Sequence, residues 1–205
     1  MKRGITLLAV GLALTLSGCA TTAKKSPFVK PGKLMGEMID ERVQQIPYQH
    51  KSELLQNMLW LAQAGEQAVP SLLAAMDHQD PKVRSSIAWI FGRMGDRRVI
   101  PMLQQRKNEP NEVTRLEIAR TLLTLGDYSM VPELIHGLDS DLPHVRYLCY
   151  DALHRTTKHS FDYDHRASDP MDRQASIAKW KDWWKNQSKE IWFNGKNGLA
   201  APQGR

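Results

Sequence analysis

The amino-acid sequence predicts an all-α fold, a short right-handed α-solenoid built from stacked helix pairs. The main observation is a strict repeat, because prolines and arginines each recur at a step of 31 residues. The second is that apolar residues follow helical spacing, and no alternating run indicates a strand. Self-similarity at a period of about 20–50 residues is typical of repeat architectures. The two series are Pro70, Pro101 and Pro132, and Arg84, Arg115 and Arg146.

The chain starts with a basic and then apolar segment that ends in a cysteine. Lys2 and Arg3 precede an apolar run over residues 5–16, which is the layout of a secretory signal. The run is too short to span a bilayer, which needs about 20 apolar residues. The sequence Leu-Ser-Gly-Cys at residues 16–19 resembles the lipobox of bacterial lipoproteins at all four positions. The resemblance implies that residues 1–18 are a signal peptide and that Cys19 carries a covalent lipid.

The residues after the cysteine suggest where the protein is held. Ala20 follows Cys19, and in enteric-type lipoproteins a residue other than aspartate at this position implies sorting to the outer membrane, facing the periplasm. Residues 19–33 contain few apolar side chains and two prolines, so they predict a flexible tether behind the lipidated cysteine. A coil of this length spans about 20 Å.

Residues 34–65 predict a helical hairpin that caps the N-terminal end of the repeats. Apolar side chains form one helical stripe that ends at Pro47 and a second that begins after Ser52. Repeat stacks need such caps to cover the open faces of their terminal units. The stripes are Met35, Met38, Ile39, Val43 and Ile46, then Leu54, Leu55, Met58, Leu59 and Ala62.

Residues 66–160 hold three repeats of 31 residues, each with two short helices. The first helix begins near the recurring proline, which is tolerated in an opening turn that needs no N–H donor. The second begins at a polar cap, such as Asp80 before Pro81. Gly95 and Gly126 predict the ends of second helices, and the third repeat lacks this glycine.

The motifs Val-Pro-Ser-Leu-Leu, Asp-Pro-Lys-Val-Arg and Gly-Asp resemble HEAT repeats of the phycobilin-lyase-like type over residues 66–159. The resemblance implies a hydrogen-bonded ladder in which an acidic or amide residue of one copy meets the arginine of a second helix. Such a ladder has a structural role. Its candidate residues are Asp77, Arg84, Asn108, Arg115, Asp139 and Arg146.

Residues 161–193 predict a loop and a tryptophan-rich capping helix, and residues 194–205 a disordered tail. The helix starts at Asp169-Pro170, and Ile177, Trp180 and Trp184 share one face. An alternative is that Trp183 and Trp192, with the nearby lysines, bind polysaccharide or lipid headgroups, because aromatic faces stack on sugars and lie at membrane interfaces.

A polar loop over residues 154–169 provides the only candidate for metal chemistry. Imidazoles and carboxylates are suitable ligands, so a metal-dependent enzyme or accessory protein is the second alternative. The spacing matches no established metal motif, however, and we expect no resident metal. The candidate ligands are His159, Asp162, Asp164 and His165.

Composition and the absence of catalytic motifs favour a binding protein over an enzyme. The formal net charge is +6, with the charges interspersed rather than clustered, so we expect no nucleic-acid partner. Cys149 aligns with Ile87 and Ile118, which predicts a buried, inert thiol. We therefore expect a lipid-anchored scaffold or adaptor that binds an unidentified envelope protein, with no cofactor besides the lipid on Cys19.

Overall fold

A computed structural model describes the backbone of residues 26–195 and the side chains of residues 26–188. Within this part of the chain the regular structure is entirely helical, as nine α-helices and three short 3₁₀ turns. The helices are α1 (Lys33–Gln45), α2 (Lys51–Gln63), α3 (Val69–Ala75), α4 (Pro81–Met94), α5 (Ile100–Gln104), α6 (Glu112–Thr124), α7 (Val131–Gly137), α8 (Pro143–Thr157) and α9 (Pro170–Gly195).

The helices are stacked as pairs in chain order. Helices α2, α4, α6 and α8 pack on one another in succession and form a continuous layer of second helices. On the other side of this layer α1 packs on α3, and the C-terminal helix α9 packs on α7. This arrangement confirms the predicted all-α fold, a short helical solenoid.

Local sequence signals set the helix boundaries. Pro70, Pro101 and Pro132 stand in the first turn of α3, α5 and α7, where a missing N–H costs nothing. Gly95 follows α4 with φ of 71° and Gly126 lies just beyond α6 with φ of 87°, as the sequence predicts. Both angles lie in the left-handed region that glycine enters without strain.

An aspartate follows each of these glycines and starts the next repeat. The Asp96 carboxylate accepts a hydrogen bond from the Arg98 backbone N–H, and Asp127 accepts one from Ser129. Each caps a 3₁₀ turn that leads directly into the following first helix. The recurring Gly-Asp pair therefore turns the chain from one repeat into the next.

The core is a single apolar cluster that runs through all the repeats. Ile87, Ile118 and Cys149 occupy equivalent positions and are fully buried. Burial raises the pKa of the Cys149 thiol, as expected for an inert side chain. At the C-terminal end, Trp180 and Ile177 of α9 close the last repeat. None of the helices described here is both long and apolar enough to cross a bilayer.

The predicted tether is shorter than the sequence indicated. Phe28 is buried, the Val29 backbone N–H donates to the Glu66 carboxylate at 3.1 Å, and the Arg98 guanidinium lies over the Phe28 ring and donates to the Pro27 carbonyl. Residues 27–29 are thus docked on the body, because one aromatic side chain provides enough apolar surface to hold an otherwise polar segment.

Several predictions fall at the chain ends. The signal peptide, Cys19 and residues 19–25 lie outside the described residues, as do residues 196–205. Helix α9 continues to Gly195, so the first two residues of the predicted tail, 194 and 195, are helical.

Candidate binding groove

The three recurring arginines have different partners from those that the ladder predicts. Their Nη1 atoms donate to backbone carbonyls of the loop before their own helix: Arg84 to residues 78 and 79, Arg115 to residue 109, and Arg146 to residues 140 and 141. Arg173 makes the same contact to residues 167 and 168, so α9 retains the pattern of a second helix.

The other guanidinium nitrogens reach a neighbouring unit. Arg84 donates to both carboxylate oxygens of Glu109, and Arg115 donates to Glu133 at 2.6 Å. Arg146 donates to the carbonyls of His165 and Ala167. The arginines therefore join adjacent repeats, which is the structural role that the resemblance implied, through different acceptors.

The predicted acidic partners also pair elsewhere. Asp77 binds Arg106 at 2.6 Å, Asp139 contacts Arg173 and Gln174, and Asn108 is exposed. Glu109, and not the predicted Asn108, is the side chain of this loop that pairs with a recurring arginine, Arg84. Burial opposes ionisation of Glu109, but hydrogen bonds from Arg84 and the backbone outweigh it and lower the pKa of its carboxyl.

The candidate ligands of the His/Asp loop contact other side chains rather than one another. His159 stacks on Phe161 with ring centroids 5.0 Å apart, and His165 lies against Tyr147. Asp162 and Asp164 pair with Lys179 and Arg166. Among the residues with described side chains, no three histidine, cysteine, aspartate or glutamate residues lie at ligand spacing.

The C-terminal tryptophans form an aromatic cluster against the last repeat. Trp180 packs edge-on against Phe161 and against Trp183, at centroid distances of 4.7 and 5.7 Å. Trp183 is half-buried in this cluster. The side chain of Trp192 lies outside the described residues.

The layer of second helices carries a concave site in the described part of the chain, a groove between side chains of successive repeats. It has a volume of about 250 Å³ and crosses α4, α6 and α8. Gly92, Thr121 and Ala152 line it, and the Thr121 hydroxyl donates to the Ala88 carbonyl at 2.8 Å. The longer side chains that line it are Trp89, Arg93, Arg120, Asp151 and Arg155.

Three arginines line the groove and make it positively charged. Arg120 pairs with Glu117 on the same helix, and Arg155 pairs with Asp151 at 2.7 Å. The Arg155 side chain is nevertheless 74% exposed. Among residues 26–188 we find no ion pair or side-chain hydrogen bond for Arg93, which is exposed.

Glu117, which pairs with Arg120, is buried, as are Glu109 and Asp127. Burial raises the pKa of its carboxyl, and the adjacent Arg120 offsets only part of the effect. Three arginines and one carboxylate, Asp151, line the groove, so it carries more positive than negative charge.

Sequence reasoning missed this groove, although its residues carry the same period. Trp89, Arg120 and Asp151 are 31 residues apart, as are Arg93, Thr124 and Arg155. These positions differ in residue type from copy to copy, so a search for identical residues passes over them. A search for polar residues on the solvent stripe of each second helix could have found them.

Comparison with known proteins supports the repeat assignment. Residues 83–109, from α4 to the loop before α6, match the family model of the PBS lyase HEAT-like repeat. No curated protein matches the chain. The match and the helical stack together support a HEAT-repeat protein, and such repeats are typical of protein-interaction scaffolds.

Proposed function

We propose that this HEAT-repeat chain is a non-enzymatic, lipid-anchored protein of the bacterial cell envelope that acts as a scaffold for another protein at the membrane surface. The lipobox-like segment at residues 16–19 supports the anchor, and Ala20 supports an outer-membrane location facing the periplasm. The lipid on Cys19 is its only attached group, and nucleic acid is not among its partners.

The groove across α4, α6 and α8 is the observation that carries the scaffold role. It crosses three successive repeats, and in the described part of the chain none of its arginines pairs outside its own helix, whereas Arg84, Arg115 and Arg146 join neighbouring units. Stacked helical repeats use such extended faces to bind other chains. Fold alone does not fix function, so the proposal rests on this face.

Site-directed photo-crosslinking in native membranes tests the scaffold role. A photoreactive residue at Thr124, which is exposed in the groove, is expected to capture one dominant protein, identified by mass spectrometry. The same residue at Ser129 provides the control, because Ser129 is exposed and lies outside the groove. Equal yields at the two positions, or no captured protein, would contradict the scaffold proposal.

The two cysteines offer a matched test of the anchor. We expect Cys19→Ala to release the chain from membranes or leave its signal uncleaved, whereas Cys149→Ala stays anchored, because Cys149 is buried. Mass spectrometry of the purified chain should show an N-terminal residue 19 carrying added lipid mass. An unmodified Cys19 in membrane-bound protein would exclude lipidation as the means of attachment.

A further inference from the structure

We infer that the groove on α4, α6 and α8 binds an extended acidic peptide segment of the partner protein, with Arg93 and Arg155 contacting its carboxylates. This inference deepens the proposed scaffold function and rests on it. It concerns the chemistry of the bound segment, so it can fail while the scaffold role stands.

The charges in the groove favour an anionic ligand. Arg93, Arg120 and Arg155 provide three guanidinium groups, against one lining carboxylate, Asp151. Glu117 does not line the groove and pairs with Arg120 from the same helix. A guanidinium group presents a planar fork that matches a carboxylate with two parallel hydrogen bonds. The exposed Arg155 and Arg93 can adopt this geometry toward a ligand without leaving a buried charge behind.

The dimensions of the groove fit a peptide in extended conformation. Adjacent packed helices lie about 8–10 Å apart, so three helices span about 16–20 Å. An extended chain rises about 3.3 Å per residue, and five or six residues cover this span. Trp89 lies at one wall and offers an apolar face beside the first arginine.

The mixed character of the lining favours a peptide over an anionic membrane surface. Asp151 and the Thr124 hydroxyl lie among the arginines, and they suit the N–H donors of a peptide backbone. Anionic lipid headgroups are instead attracted by clusters of like positive charge at the surface. A carboxylate inside the site would oppose such contact.

Fluorescence anisotropy with the full chain in detergent tests the inference. The probe is a labelled eight-residue peptide of alternating glutamate and glycine, and the matched lysine–glycine peptide is the negative control. We expect the acidic peptide alone to bind, and more weakly when NaCl rises from about 50 to 300 mM, because salt screens exposed charges.

Two variants should shift the affinity in opposite directions. The double variant Arg93→Gln with Arg155→Gln is expected to bind about tenfold more weakly, since two carboxylate contacts are lost. Asp151→Asn is expected to bind about threefold more tightly, because the amide oxygen still accepts a peptide N–H while the negative charge that pairs with Arg155 and repels the peptide is removed. Arg166→Gln is the control, as Arg166 is 80% exposed and lies outside the groove. Circular dichroism establishes that each variant is folded.

Three results would overturn the inference. The first is equal binding of the acidic and basic peptides, and the second is wild-type affinity in the double arginine variant. The third is that the acidic peptide does not bind, whereas phosphatidylglycerol vesicles bind and lose affinity in the double arginine variant. If the double variant still captures the wild-type partner through Thr124, the acidic-peptide inference fails and the scaffold role remains. If neither the wild-type chain nor the double variant captures a partner through Thr124, the proposed function fails.

Discussion

At the scale of single residues, the recurring arginines show how one side chain can hold two repeats together. Each places Nη1 on the carbonyls of the loop before its own helix, and its other nitrogens reach the next unit. A guanidinium group has five N–H donors in a rigid fork, so it can satisfy several carbonyls at once. Lysine has a single donor centre and cannot bridge the same acceptors.

Among the three recurring arginines, Arg146 should contribute most to the stability of the fold. Its side chain is 3% exposed and donates to four carbonyls, those of residues 140, 141, 165 and 167. We expect Arg146→Ala to lower the free energy of unfolding by about 3 kcal/mol, because buried acceptors lose charged donors. Urea unfolding measures the effect. Arg166→Ala, at an exposed position, should change it by less than about 0.5 kcal/mol. Similar losses for the two variants would contradict this role.

Tyr163 provides a prediction for alkaline pH. Burial raises the pKa of its phenol to about 12, and its hydroxyl donates to the Leu138 carbonyl. The unfolded value is near 10, so the neutral phenol contributes stability that is complete below about pH 10 and lost as the pH rises through 12. Absorbance titration at alkaline pH should show a late tyrosine that Tyr163→Phe removes. An unchanged late phase would contradict the assignment.

At the scale of helices, boundaries were predictable because their causes are local. Proline at the first turn, an aspartate cap and a left-handed glycine act within a few residues, so they can be found in the sequence alone. The third repeat ends its second helix without a glycine. Lys158 ends α8 with φ of 65°, in the left-handed region where Gly95 stands after α4.

Replacing Lys158 by glycine should therefore stabilise the protein. A side chain in the left-handed region costs about 1–2 kcal/mol, and glycine relieves that cost while adding some freedom to the unfolded chain. We expect Lys158→Gly to raise the free energy of unfolding by about 1 kcal/mol in urea titrations. Lys158→Ala removes the charge but keeps the Cβ, and it should give no such gain. A gain in the alanine variant would point to charge as the cause.

Other contacts between helices could not be predicted because they depend on neighbours distant in sequence. The period gave the positions of the arginines but not their acceptors, and Arg173 was missed because it follows Arg146 by 27 residues rather than 31. The groove needs α4, α6 and α8 side by side. Gly137 is a further example, because nothing in the sequence shows that it faces Cys149.

Gly137 allows α7 to approach α8. A Cβ at this position would overlap the Cys149 sulfur and meet Leu116 at 3.2 Å. We expect Gly137→Ala to lower the free energy of unfolding by about 1–3 kcal/mol. The steric cost of the added Cβ exceeds what alanine gains over glycine in helix propensity. Adding Cys149→Ala should recover part of the loss in a double-mutant cycle. Gly36→Ala in α1 is the control, as its nearest contact is an ordinary 3.5 Å, and it should not destabilise. Additive effects of the two changes would contradict the contact.

At the scale of the whole molecule, the docked segment at residues 27–29 decides how the body relates to its proposed anchor. Ser26 is the first described residue, so no more than residues 20–25 of the predicted tether lie between Cys19 and the described part of the chain. A coil of six residues spans only about 13 Å on average. The proposed lipid on Cys19 would then hold the body close to the membrane, at the side where Phe28 and Arg98 meet.

Arg98 should control this attachment point. It lies over the Phe28 ring, donates to the Pro27 carbonyl, and pairs with Glu66 and Asp96. Arg98→Ala removes these contacts, so Phe28 should become accessible while the helices stay folded, because the segment lies outside the repeats. Chymotrypsin cleavage after Phe28, followed by mass spectrometry, measures the change, and we expect it to be several-fold faster in the variant. Arg166→Ala should be cut at the wild-type rate. Equal rates for Arg98→Ala and wild type would show that Phe28 burial alone holds the segment, and the proposed attachment would not depend on the arginine.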